Sequence, residues 1–278
     1  MISRLKRRKL TNQFVSFLLG LAVFLSILPL FGILWYVLQQ GIPGLSFKFF
    51  TSIPAPVGVP GGGMANAILG TLMLVLVSSI ISIPVGLAAG AYLSEYGDNK
   101  LGSTVRFITD VLSGVPSIVT GLLVYGLVVL AMGRFSAIAG SIALAIIMIP
   151  TVTRTTEQMI RLVPQSLREA ALALGATESQ CLVRIVLPTA ARGITTGIML
   201  AIARVMGESA PLLFTAFGSS FWSFRMDQPI AALPLQIYVY AISPYKSWHD
   251  QAWAGALTLL GLVLIITIMA RFLTRTKH

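Results

Sequence analysis

Arg204 and Glu208 stand one helical turn apart inside a run that is otherwise apolar, Gly193 to Phe217. An isolated charge in lipid costs roughly 2.5–3.5 kcal/mol on insertion scales, and two opposite charges at this spacing neutralise each other. Two readings are open. The pair sets helix packing, or Arg204 faces a conduction path and meets an anion, because guanidinium presents a planar fork to phosphate-like oxygens. Glu208 adds a means of discrimination. A carboxylate accepts a hydrogen bond from a protonated oxyanion such as hydrogen phosphate, whereas sulfate near neutral pH has no proton to give. The run is also striped: Gly193, Gly197, Ala201, Arg204, Glu208, Pro211 and Thr215 fall on one helical face. Its small end invites close approach by another helix. Met199, Ile202 and Val205, opposite, suit lipid or the bundle core.

A second set of polar groups opens another apolar run. Ser113, Ser117 and Thr120 share one face at i, i+4 and i+7 of a helix that Pro116 loosens. Their hydroxyls either bond back to the helix's own carbonyls or line a pathway.

The stretch from Thr153 to Pro188 is polar and helical in pattern. Pro164 near the start and Glu169 in an early turn suit the opening of a helix. Gly175 breaks or caps that helix, and Ala176–Leu187 reads as a second short helix ending before Pro188. Leu167, Ala170, Ala171 and Leu174 form an apolar face at i, i+3, i+4 and i+7. Such a face either binds a partner or packs beneath the chain's own spans.

The elements that position these groups follow from composition. The chain is 56% hydrophobic and 10% charged, far from the roughly one quarter charged of globular domains. Six runs reach the ~20 residues a membrane helix needs: Phe14–Leu38, Ala65–Leu93, Val111–Met132, Phe135–Val152, Gly193–Phe217 and Ala252–Ala270. The first is too long for the core of a cleavable signal. Pro84, Gly86 and Gly90 in the second predict a kink or close packing. Net charge is +11, but the cations lie between the apolar runs, which argues for a bilayer and against nucleic acid. With the N-terminus in the cytoplasm, fifteen of the 20 Lys and Arg lie inside, Arg154, Arg161, Arg168, Arg184 and Arg192 among them. Lys48, Arg134, Arg225 and Lys246 lie outside, and Arg204 is within a span. This bias places both termini and Thr153–Pro188 in the cytoplasm. Outside lie a proline- and glycine-rich loop, Gln39–Met64, ending Pro60-Gly61-Gly62-Gly63, and an aromatic segment, Gly218–Gln251. In the latter, Trp222, Tyr238, Tyr240, Tyr245 and Trp248 suit an interfacial belt, and Pro229–Ala241 is open as a partial span. The lone Cys181 has no disulfide partner, the two histidines, His249 and His278, are far apart, and no internal repeat is visible.

The residues Glu169-Ala170-Ala171, then Gly175, then Ile185, Leu187 and Pro188, resemble in type and spacing the EAA loop of bacterial ABC importer permeases. Three further stretches are similar to phosphate-specific permeases: Gly61–Leu72, Ser113–Val119, and Gly207–Phe214, which reads GESAPLLF. The last is closer to the PstA-type subunit than to its PstC-type partner. The resemblance implies an all-α, polytopic membrane protein of about six transmembrane helices with a cytoplasmic coupling-helix loop, the type I ABC importer permease fold. It divides the chain into a basic tail (1–13), a first span with its outer loop (14–64), the transporter unit (65–271, EAA loop 153–188) and a second tail (272–278). It implies a multi-pass protein of the bacterial inner membrane working with a second permease subunit, two ATP-binding subunits and an external phosphate-binding protein. Glu169, Ala170, Ala171, Gly175, Ile185, Leu187 and Pro188 would form the ATPase dock, and Arg204, Glu208, Ser113, Ser117 and Thr120 the substrate path. ATP would be used by the partners, since this chain has no GxxxxGK[ST] loop and binds no cofactor. The alternatives are a permease for another oxyanion or small solute and, in a different class, an ATP-independent channel or secondary carrier. An intramembrane enzyme needs clustered catalytic groups within the spans, and only Arg204 and Glu208 are there.

Overall fold

A computed structural model describes residues 2–56, 59 and 61–273. Pro60 of the first outer loop and Arg275, Lys277 and His278 of the expected basic tail lie outside the described residues. The principal helices are α1 (Ile2–Gly41), α2 (Ala65–Tyr96), α3 (Lys100–Gly114), α4 (Ser117–Met132), α5 (Ala137–Arg161), α6 (Gln165–Ala173), α7 (Glu178–Met206), α8 (Ala210–Thr215), α9 (Leu233–Ala241) and α10 (Lys246–Leu273).

Five of these helices, α1, α2, α5, α7 and α10, are long and apolar enough to cross a membrane. A sixth crossing exists only if α3 and α4 count as one span, and they meet at a bend of 106°. The span expected from Val111 to Met132, with a helix loosened at Pro116, is therefore corrected to a full break at that proline. Pro116 offers no N–H to extend α3 and pushes Val115 to an extended conformation (φ −71°, ψ 128°), so the helix stops at Gly114. Ser113 is left on α3, and Ser117 and Thr120 start α4, so the three hydroxyls do not share a face. The Ser113 hydroxyl donates to the Thr109 carbonyl at 2.8 Å, its own helix's backbone.

The expected fifth span is corrected at both ends. Pro188 does not end a short helix. A π turn at Leu182–Val186 carries the chain through it, one extra residue opening the turn where proline offers no donor. At the other end α7 stops at Met206, Gly207 follows, and Pro211 sits in the first turn of the new helix α8. The single stripe is thus split. Gly193, Gly197, Ala201 and Arg204 lie on α7, Glu208 lies between helices, and Pro211 and Thr215 lie on α8.

The core forms where α2, α5 and α7 meet. Helices α2 and α5 make the most extensive pairing, and α7 packs against α5 and less extensively against α2. Leu74, Leu144, Met148, Val152, Val205 and Leu212 are buried together there. The close packing expected from Gly86 and Gly90 is present, opposite Val152 and Thr156 of α5. Helix α1 stands apart, held near its end by α10, where Tyr36 meets Trp253 edge to face at 5.0 Å.

The aromatic segment Gly218–Gln251 splits the expected belt. Trp222, Tyr238 and Tyr245 are exposed, while Tyr240 is buried and stacks on Trp248 at 4.4 Å. Helix α9 has 9 residues, less than half the ~20 a span requires, and its Leu233 N–H donates to the buried Thr71 hydroxyl at 2.7 Å. It packs on α2 and α10. Asp227 ties this segment to the α4–α5 turn, pairing with Arg134 and with Arg225 at 3.0 Å each. The Arg225 hydrogen bond holds the Asp227 carboxyl below the usual carboxylate range.

Candidate functional site

Two regions collect the polar groups singled out in the sequence. The first is α6 with its flanking turns. Pro164 sets the entry to α6 in an extended conformation (φ −56°, ψ 135°), suited to a helix start. At the far end Gly175 takes φ +85°, in the left-handed region that residues with a Cβ avoid. Its N–H donates to the Leu172 carbonyl at 3.0 Å, and the Ala176 N–H reaches back to Ala171 at 3.2 Å. This paired closure satisfies carbonyls that the helix end leaves free. Thr177 and Gln180 then form a reciprocal capping box that opens α7.

The apolar face of α6 divides between the two readings. Ala171 is buried in a cluster with Ile160, Val163, Cys181 and Val186. Leu167 and Leu174 are exposed, Leu174 to 90%. Ala170 and Glu169 are also on the open side. Ile185 and Leu187 pack half-buried against the Ala171 cluster at the base of α7, with Pro188 exposed beside them.

Charge locks α6 from behind. Arg168 Nη1 donates to both Glu95 oxygens, at 2.6 and 2.7 Å, and its Nη2 donates to the Ile160 carbonyl at 3.3 Å. Next to it, Arg106 and Arg161 converge on Glu157 at 3.0 and 2.9 Å. Arg154 pairs with Asp110. None of these partners was singled out in the sequence. Arg168–Glu95, Arg106–Glu157 and Arg154–Asp110 join different helices far apart in the chain, and no periodicity links them, whereas Arg161 and Glu157 stand one turn apart on α5.

The second region is the end of α7. Arg204 and Glu208 come together as the spacing suggested, but loosely, at 3.8 Å. The Arg204 side chain is 54% exposed and that of Glu208 19%. The helix break at Gly207 explains the distance, since Glu208 no longer follows the α7 axis. Thr120 is buried on α4, which packs against α8, and Ser117 is half-buried. Among the described residues no group of three or more His, Cys, Asp or Glu could hold a metal.

A helical bundle that displays one short amphipathic helix at its end is the fold of type I ABC importer permeases. A chain of a bacterial alginate ABC transporter superposes with a TM-score of 0.69 at 14% identity, over 98% of this chain and 99% of that one. A chain of the inward-facing MetNI methionine ABC transporter gives 0.59 at 21% identity, over 76% and 92%. The chain belongs to the family described as binding-protein-dependent transport system inner membrane component, whose pattern matches residues 82–277. It is similar to the phosphate transport system permease protein PstA of Yersinia pestis, 44% identical over 100% of this chain and 96% of that one. The PstA of Xylella fastidiosa (strain Temecula1) is 47% identical over 96% and 94%. The probable PstA of Methanocaldococcus jannaschii is 36% identical over 95% and 94%.

Proposed function

We propose that this chain is the PstA-type permease of an ATP-driven importer of inorganic phosphate. It forms the translocation path with a second, PstC-like permease, and residues 65–271 are the transporter unit. Two PstB-like ATPases supply the energy, and a PstS-like binding protein delivers the anion from outside. The Lys and Arg bias supports cytoplasmic termini and a cytoplasmic α6. The observation that carries the docking role is the presentation of α6. Leu167, Glu169, Ala170 and Leu174 are open, while Ala171 seats the helix from behind.

Arg204 is the anion-binding group of this subunit. Its guanidinium is half exposed and only loosely matched by Glu208, so it keeps donors for an oxyanion. Glu208 tempers that charge and accepts the proton of hydrogen phosphate. Ser117 and Thr120 start the neighbouring helix of the path, and Ser113 lies on the helix before it.

The test is reconstitution with the candidate second permease, ATPase and binding protein, followed by uptake of phosphate, arsenate, sulfate and molybdate. Uptake of phosphate and arsenate only with ATP is expected. Uptake of sulfate or molybdate in preference would overturn the substrate, and ATP-independent uptake would overturn the class.

A further inference from the structure

Three arginines converge on the end of α2. Arg106 donates to the Gly97 and Leu93 carbonyls at 2.9 and 3.1 Å, and Arg161 reaches Leu93 at 3.4 Å. Cations suit the negative end of a helix, so Arg106 and Arg161 have a sufficient role as caps. Arg168 is different. It comes from α6, 73 positions away in the chain, and spends one nitrogen on the Glu95 carboxylate and another on the end of α5. Both side chains of the pair are largely covered, at 18% and 21% exposure. Shielded from water, such a pair is stiffer and stronger than a surface ion pair.

The remaining attachments of α6 are of another kind. Its chain connections run through turns, at Pro164 on one side and at Gly175 on the other. Beyond Gly175 the chain enters α7 at the Thr177 cap, and α7 itself contains the π turn at Leu182–Val186. Ala171 rests on apolar side chains, a contact without direction. Among the described residues only Arg168 joins α6 by directed bonds to both members of the α2–α5 pair. Close packing lets that pair move as one body.

We propose that the Arg168–Glu95 pair is the strut by which displacement of α6 enters the α2–α5 pair, which makes both of them positioning residues for coupling. The proposal rests on the docking role given to α6 above. Without the strut, α6 still holds its ATPase, but its movement is absorbed at the turns.

The experiment uses the reconstituted complex, with ATP hydrolysis and phosphate uptake measured in the same vesicles. Glu95→Gln and Arg168→Gln are each expected to keep the ATPase bound on purification and to lower phosphate taken up per ATP at least tenfold. The double variant should be no worse than either single one, because both remove the same link. Arg168→Lys, which keeps the charge and one donor, should recover part of the ratio. An unchanged ratio in both single variants overturns the strut, and so do losses that multiply in the double variant. Loss of the ATPase from either single variant also overturns it, because the pair would then hold the dock together without transmitting its motion. If the unaltered chain itself retains no ATPase, the docking role fails and the strut with it.

Discussion

Gly197 faces Thr155 across the α5–α7 interface so closely that a Cβ on it would come within 2.0 Å of the Thr155 Cγ2. One turn earlier Gly193 faces Met159, where the same atom would meet the sulfur at 2.2 Å. The two distances look alike and their consequences differ. Met159 is unbranched and its tip swings away, whereas Thr155 is branched at Cβ and its hydroxyl is committed to the Thr151 carbonyl. Gly197→Ala is therefore expected to lower stability by about 1–3 kcal/mol, the usual range for overpacking. Gly193→Ala should change it by less. Thermal unfolding of the purified chain in detergent measures both, and equal losses would contradict the assignment of Thr155 as the rigid wall.

Gly175 yields a second prediction. A residue with a Cβ in the left-handed region costs roughly 1–2 kcal/mol, and nothing else crowds the position. Gly175→Val should therefore leave insertion and overall stability nearly intact while misplacing the end of α6. The expected outcome is a protein that reaches the membrane in normal amount but retains little ATPase on purification. Gly175→Asn should fall between, since asparagine tolerates this conformation better.

The exposed and buried members of the α6 face should separate by substitution. Leu174→Glu adds a charge to a side chain that is 90% exposed, and surface changes of this kind usually stay within about 0.5 kcal/mol. It should abolish ATPase retention without moving the unfolding temperature. Ala171→Glu places a carboxylate where only 3% of the residue is accessible, which should destabilise the chain itself. If Leu174→Glu leaves ATPase retention unchanged, that side of α6 is not the dock.

The membrane class and the position of α6 were legible because both rest on local pattern. Long apolar runs mark spans, and Gly175 marks the end of a helix from residue type alone. The breaks at Val115–Pro116 and Gly207 were less legible. In Val111–Met132 and Gly193–Phe217 the apolar count continues across the break, and hydropathy does not register direction. The stripe through Arg204 and Glu208 assumed one unbroken helix, so its second half moved when Gly207 ended α7. Pro188 misled in the opposite sense, because a π turn absorbed a residue that ordinarily closes a helix. The links Arg168–Glu95 and Arg106–Glu157 depend on how helices are arranged in space. A single sequence carries no spacing rule for them.

The residues proposed for the path make the last prediction. Arg204 has no full counter-charge, since its contact with Glu208 is 3.8 Å and its side chain is 54% exposed. A pair that existed only to hold helices together would be short and covered, as Arg168–Glu95 is. Arg204→Gln should therefore leave assembly and stability nearly unchanged. If Arg204 binds the anion as proposed, the change removes a charge-assisted hydrogen bond worth about 1.5–3 kcal/mol, so phosphate uptake should fall roughly ten- to a hundredfold. Normal uptake with lowered stability would return Arg204 to a packing role. Glu208→Gln separates the two duties of the carboxylate. If Glu208 accepts the proton of hydrogen phosphate, the amide loses some phosphate uptake and admits more sulfate, because the negative charge that repels a fully ionised oxyanion is gone. Competition between the two anions, measured with and without the binding protein, reads this directly. An unchanged preference in the absence of the binding protein would leave Glu208 only the task of tempering Arg204.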